Sequence, residues 1–143
     1  MSFDLKIKNG DLAINNGTLQ TVVDSEKLIQ DILKICLTSV GSNPLQLWYG
    51  SFLSKTMVGS ALDTDILIQV SQSQINNALE NIKKLQEIQI KSLQKVSADE
   101  QLGNILDISI IRNQIDPRLF DIRISALTKG IRPISTAFRV SNI

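Results

Sequence analysis

The residues of this chain that could do chemistry are its acids. Asp and Glu together number 14 among 143 residues, and Glu26, Asp31, Asp63, Asp65, Glu80, Asp99, Glu100 and Asp116 are the candidates for a working pair. Two carboxylates flanking a bond are the machinery of glycoside hydrolysis, one protonating the leaving oxygen while the other attacks or activates water. Acids at this density always offer pairs, however, and most of these sit where a helix cap or a solvated face accounts for them. Composition closes the other routes. Histidine is absent, which removes the commonest general base, the triad base and the commonest metal ligand together. Cys36 is the single cysteine, so neither an intrachain disulfide nor a CxxC site can form. Its place between Ile35 and Leu37 predicts a buried, inert thiol. No P-loop, GxGxxG, HExxH or GxSxG pattern occurs. The expectation is a protein that is not an enzyme and needs no cofactor and no metal.

Two other groups of residues suit contact rather than catalysis. Trp48 and Tyr49, the only Trp and Tyr of the chain, stand side by side in a loop that also holds Gly41, Pro44 and Gly50. Aromatic side chains of this size anchor cores and interfaces. Asp116-Pro117-Arg118 has two readings. As a turn, Asp starts it and Pro presets φ at the next position; as a contact, Arg118 offers a planar fork of donors to a partner's carboxylate or carbonyls. The net charge of +1, from 15 bases and 14 acids, leaves no basic stripe for nucleic acid and no case for a membrane surface. No apolar run nears the roughly 20 residues that span a bilayer. Asp4, Lys6 and Lys8 interrupt the N-terminus before any apolar signal core, so a reducing compartment is expected.

The elements that position these residues can be read from periodicity. Phe3, Leu5 and Ile7 alternate with Asp4, Lys6 and Lys8, and Asn9-Gly10 and Asn16-Gly17 mark tight hairpin turns before Leu19 to Val22, a small β-meander. Asp24 suits a helix N-cap with Glu26 in the first turn. Leu28, Ile29, Ile32, Leu33, Ile35 and Cys36 then form a wide apolar face on an amphipathic helix of roughly 14 residues, ended by Thr38 to Asn43 and Pro44. Ser51 to Met57 is a short helical piece, broken by Gly59-Ser60. From Asp63 to Val96 neither Pro nor Gly occurs, and Ile75, Ala78, Leu79, Ile82, Leu85, Ile90, Leu93 and Val96 share one face of a long helix. Gln86 and Gln89 interrupt that face, so the helix either has an irregular turn there or packs partly against another chain. Ser97 to Glu100 reads as a turn. Ile105 to Ile111, Phe120 to Ala126 and Ile134 to Val140 alternate as three strands of an antiparallel sheet. No internal repeat stands out. The fold class is α+β: an N-terminal β-meander, an amphipathic helix, a long helix and a C-terminal antiparallel sheet, within one domain over residues 1–143.

The order of small motifs carries a family resemblance. A polar helix start, a helix ending in Leu37-Thr38, the loop Gly41-Ser42-Asn43-Pro44 and the step Tyr49-Gly50-Ser51-Phe52-Leu53 together resemble the baseplate wedge family of contractile phage tails, which includes baseplate assembly protein W and lysozyme-like wedge subunits. The match covers about residues 3–60. That family also has a Glu-Pro-Arg tripeptide implicated in subunit contacts. Asp116-Pro117-Arg118 looks like its counterpart, with Asp for Glu, although it follows a strand here where the family has a helix. The resemblance implies a structural subunit of the virion, assembled in the host cytoplasm. It implies contact with the helical core bundle of other baseplate wedge subunits and with the tail sheath protein, whose polymerisation it would initiate through its C-terminal β-structure. Interface residues would include Asp116, Pro117, Arg118, Trp48, Tyr49, Ile134, Phe138 and Val140. The alternative for such relatives is a peptidoglycan glycoside hydrolase at the tail tip. A wedge-type subunit of a non-phage contractile injection system has the same sequence features.

Overall fold

Seven residues is the distance the chain needs to make one short strand, one corner and one turn, and it does so three times at the N-terminus. The computed structural model describes residues 2–57 and 63–141; Gly59-Ser60, expected to break the short helix, lies outside them. Strands β1 (Phe3–Leu5), β2 (Ile7–Lys8), β3 (Asp11–Leu12), β4 (Ile14–Asn15), β5 (Thr18–Leu19) and β6 (Thr21–Val23) pair as three antiparallel ribbons, β1 with β6, β2 with β3 and β4 with β5. The Asn9-Gly10 and Asn16-Gly17 turns hold positive φ at both residues, as two-residue hairpin loops require. The corners close on one another. Lys6 N–H donates to the Gln20 carbonyl at 2.9 Å, Ala13 N–H to Lys6 at 2.9 Å and Gln20 N–H to Ala13 at 3.0 Å. The meander is thus a ring with pseudo-threefold order.

The sequence repeats in step with the ring. Asp4-Leu5-Lys6-Ile7-Lys8-Asn9-Gly10 is followed by Asp11-Leu12-Ala13-Ile14-Asn15-Asn16-Gly17 and by a looser Thr18-Leu19-Gln20-Thr21-Val22-Val23-Asp24. This repeat corrects the expectation that none exists; its third copy keeps only Leu19 at the marker positions. Asp24 holds the position of Gly10 and Gly17 and shares their left-handed backbone, φ 52°. It therefore does not cap the helix that follows: its carboxylate accepts a hydrogen bond from Ser97 Oγ at 2.8 Å.

Helix α1 (Asp24–Leu37) has the expected length of 14 residues and buries Leu28, Ile32, Ile35 and Cys36. Thr38 ends it, its N–H and hydroxyl both donating to the Lys34 carbonyl. The short α2 (Leu53–Met57) precedes α3 (Thr64–Lys91), a helix of 28 residues. A 3₁₀ turn at Ala98–Glu100 leads into β7 (Leu102–Arg112), β8 (Leu119–Thr128) and β9 (Pro133–Ser141), an antiparallel sheet in the order β7-β8-β9. Phe120, Ile122, Ile124 and Ala126 alternate inward along β8 and are buried. They meet the apolar faces of α1 and α3, so the helices cover one face of the sheet. Asp121, Arg123, Ser135, Ala137 and Arg139 lie on the other face, outside the core.

Helix α3 resolves the ambiguity at its two glutamines. It is continuous through Gln86, which is buried with the apolar residues because both ends of its amide find a backbone partner. Gln86 Nε2 donates to the Glu100 carbonyl at 2.8 Å and Oε1 accepts Leu102 N–H at 2.9 Å. The helix ends sooner than its apolar pattern: Ile90 is 44% and Leu93 92% exposed. Replacing Gln86 with Leu keeps the volume and strands two buried backbone groups, so Gln86→Leu should cost about 2–4 kcal/mol in urea unfolding. A loss below about 0.5 kcal/mol would show that the amide clamp is not structural.

Candidate functional site

The segment joining α1 to α2 is fixed by its backbone. Ser51 N–H donates to the Thr38 carbonyl at 2.8 Å, Val40 N–H to Ser51 at 3.3 Å and Gly41 N–H to Leu47 at 3.1 Å. Beneath them Ser51 Oγ donates to the Cys36 carbonyl at 2.7 Å. Gly50 makes this closure possible. Its φ is 120°, and a Cβ there would lie 2.7 Å from the Thr38 carbonyl oxygen and 2.9 Å from Ser39 and Val40 backbone atoms. Tyr49 is half-buried and packs against the core, where burial raises its hydroxyl pKa. Trp48 lies under the Lys84 ammonium of α3, 4.7 Å from the ring centroid, and its carbonyl accepts from Asn81. The aromatic pair thus holds the loop onto its own chain. What the loop presents outward is Leu45, Leu47 and Phe52.

A polar cleft of about 260 Å³ opens beside Tyr49, lined by Asp4, Lys27, Asp31, Lys34 and Gln86 among others. Lys27 pairs with Asp31 at 2.9 Å, and Lys34 bridges Asp31 and Asp4. Burial pushes the Asp4 carboxyl up, but the Lys34 ammonium outweighs it, and the net pKa falls below the ordinary value. The same partners hold Lys34 charged against its own burial, with a raised pKa. A general acid needs the opposite, a carboxyl kept protonated near neutrality. Three of the other candidate acids have partners of their own: Glu100 accepts from Ser2 N–H and Oγ, Asp99 from Thr128 and Glu80 from Lys83. Cys36 is buried, its thiol pushed up to about 12 by desolvation. Among the described residues no group of three or more His, Cys, Asp or Glu could hold a metal, and no helix is long and apolar enough to cross a membrane.

Asp116-Pro117-Arg118 forms the tip between β7 and β8, with the Leu119 N–H returning to the Asp116 carbonyl at 3.0 Å. Arg118 folds back on Asp116, Nε to Oδ1 at 3.0 Å and Nη2 to Oδ2 at 3.2 Å. That fork lowers the pKa of the Asp116 carboxyl below its ordinary value. Arg112 braces the tip, donating to the Pro117 carbonyl at 2.7 Å and to Thr64 Oγ1 at 3.0 Å. The tip is a turn in geometry, with Arg118 and Ile115 exposed upon it.

At the far edge of the sheet, Ile134 is buried and Phe138 and Val140 are partly buried against the core. Their side chains are committed inward, so β9 leaves a partner its backbone edge and outer face. The two edges differ. β7 meets β8 with register shifts at Leu102/Asn104 and Ile105/Asp107, whereas β9 runs through nine consecutive pairs with none. Bulges blunt an edge against further pairing; an unbulged edge stays open to it.

The N-terminal ring adds a surface that periodicity alone misplaces. Backbone groups and the Asp4 carboxylate meet α1, with Ala13 and Val22 buried: Gln30 Oε1 accepts Ile7 N–H at 2.9 Å, and Gln30 Nε2 donates to the Leu5 carbonyl at 2.8 Å and to Asp4 Oδ2 at 3.1 Å. Six of its large apolar residues face out, with Phe3 69%, Ile14 66% and Leu5, Ile7, Leu12 and Leu19 between 37% and 46% exposed. The sequence signal that finds this is the Asp-Leu-x-Ile-x-Asn-Gly repeat, not the alternation.

A crystal structure of a protein from Geobacter sulfurreducens, given the provisional description of a tail lysozyme, aligns with this arrangement. The TM-score is 0.62, over 82% of this chain and 90% of that one, at 12% identity. The two chains share a fold. No protein-family model matches the sequence, and no curated protein matches it.

Two outcomes follow from the loop and the cleft. Gly50→Ala should cost about 3 kcal/mol, because rigid backbone faces the new methyl. Gly41→Ala, at φ +87° with open space around it, should cost about 1 kcal/mol; equal losses in denaturant unfolding would refute the steric account. Asp4→Asn should lower the melting temperature at neutral pH. The folded Asp4 carboxyl titrates below its unfolded value of 3.8, so its stabilisation is complete above that value and disappears as pH falls through the folded one. The wild-type and Asp4→Asn melting curves should therefore converge in acid, and a gap that widens there would contradict the ion pair.

Proposed function

We propose that this chain is a structural, non-enzymatic subunit of a contractile phage tail baseplate, a wedge component that sits against the helical core of its neighbours and starts sheath assembly. The observation that carries the reading is the fold shared with a protein described as a tail lysozyme, together with the ordered motifs of residues 37–53. The open edge of β9 supports the sheath role. A strand arriving there gains main-chain hydrogen bonds along a regular ladder, and the inward Ile134, Phe138 and Val140 keep that edge rigid. The exposed Arg118 at the β7–β8 tip suits a second contact: exchanging Asp116 for a partner's carboxylate costs little at an exposed position. Lysozyme-like catalysis has weaker support, because the cleft beside Tyr49 holds its acids as ion pairs.

The test changes the β9 outer face without touching the core. Ser135 and Ala137 are exposed, and Ser135→Lys with Ala137→Glu, the latter opposite Arg123, places charged gatekeepers on the edge strand without a like-charge pair. The variant should fold with an unchanged melting temperature and enter baseplates, yet yield at least tenfold fewer sheathed tails by electron microscopy. A chain that joins no tail complex at all would overturn the reading. So would peptidoglycan turnover by the pure protein that disappears when a single carboxylate is replaced.

A further inference from the structure

Glu100 is the only buried acid among the described residues, 1% exposed in the turn that leads into the sheet. A carboxylate taken out of water needs a counter-charge or a full set of donors. No Lys or Arg pairs with it among the described residues. Both of its donors come from one residue 98 positions away: Ser2 N–H to Oε1 at 2.8 Å and Ser2 Oγ to Oε2 at 2.6 Å. The turn itself is held without Ser2. Glu100 N–H donates to the Ser97 carbonyl at 3.2 Å, and Gln86 Nε2 donates to the Glu100 carbonyl at 2.8 Å. Ser97 Oγ in turn donates to Asp24. Residues 2 and 24, at the two ends of the ring, therefore land on the same 3₁₀ turn.

We propose that the Met1–Ser2 peptide bond is hydrolysed and that the Ser2 α-ammonium so formed is the counter-charge of Glu100. Water adds across the amide: the Met1 carbonyl leaves as a carboxylate, and the nitrogen stays on Ser2 and is protonated. Any segment ahead of Met1 would leave with it. The nitrogen already lies at hydrogen-bond distance from Oε1, so the product forms its ion pair without moving. One N–H becomes three donors and a full positive charge, and a neutral hydrogen bond becomes a charge-assisted one. An α-amine is mostly protonated at neutral pH. Ser2 is half-buried, so the ammonium keeps part of its hydration while the buried carboxylate gains a partner. The residue type fits the cut as well: peptidases that remove a methionine need a small residue behind it, and the Ser2 hydroxyl then serves Oε2. Cleavage precedes folding, because Ser2 is tied to Glu100 once the ring has closed. The pair pins the first strand of the ring to the turn between α3 and β7, independently of the tail reading.

The experiment produces the full chain from Met1 in cells with active methionine aminopeptidase and in cells where that enzyme is inhibited, and reads each N-terminus by intact mass. The uninhibited chain should begin at Ser2 and melt at least about 5 °C above the form that keeps Met1. Glu100→Gln preserves the shape of the site and removes its charge, so it should erase the gap between the two forms. Should Glu100→Gln fail to fold, labelling of the Ser2 amine decides: an acylating reagent, which attacks only the neutral amine, should react at least about tenfold more slowly with the folded chain than with the same chain in urea. A chain that keeps Met1 in the uninhibited cells would overturn the proposal. So would equal melting temperatures for the two forms, a gap that survives Glu100→Gln, or an amine that labels as fast folded as unfolded.

Discussion

Two glutamine side chains hold this molecule in one arrangement. Gln30 on α1 takes the N–H of Ile7 and the carbonyl of Leu5; Gln86 on α3 takes the N–H of Leu102 and the carbonyl of Glu100. In each case one amide spans the backbone groups on either side of a single residue, Lys6 or Gln101, as the facing residue of a parallel strand would. A helix thereby offers a strand a substitute neighbour. Left unpaired, each such backbone group would cost about 1–3 kcal/mol, so the ring cannot slide along α1 and the start of β7 cannot slide along α3. Gln72, donating to the Ile108 carbonyl, and Asn81, donating to Trp48, repeat the device at single bonds.

The remaining surfaces follow from these anchors. With the ring's backbone groups and Asp4 spent on α1, its exposed leucines and isoleucines turn outward. With β7 tied to α3 and β9 packed on α1 and α2, the helices occupy one face of the sheet, and among the described residues no further strand lies beside β9. The loop carrying Trp48 and Tyr49 is held between the two helices by the close approach at Gly50, and it positions α2 over the core. Each candidate contact surface is thus a remainder, what is left exposed after the interior has been satisfied.

Much of this was legible in the sequence. Alternating Ile and Phe with polar residues gave β7 to β9, and the Asn-Gly pairs gave both hairpins, because those signals are local and each has one physical cause. The 14-residue span of α1 followed from its apolar face. What escaped was non-local. A glutamine within an apolar arc looks like an interruption until its backbone partners, 14 and 16 residues away, are known. Ile90 and Leu93 continue the apolar period of α3, and periodicity cannot show that the first is 44% and the second 92% exposed. The aromatic pair was read as an anchor for core or interface, and type alone does not say which; Tyr49 packs on the core, as does Ile134 of β9. The seven-residue repeat of the ring went unread, because a pattern that short resembles ordinary strand alternation, and alternation does not say which face turns inward.

The uninterrupted register between β8 and β9 has a mechanical consequence. Nine residue pairs run from Leu119↔Ser141 to Leu127↔Pro133 without a shift. A pull along the axis of β9 loads this whole ladder in shear, so its hydrogen bonds must fail together. A pull across the strand opens them one at a time. The same sheet is therefore stiff to a neighbour that draws on it lengthwise and compliant to one that peels it sideways, and β7, with its two irregularities, has no such clean axis of strength.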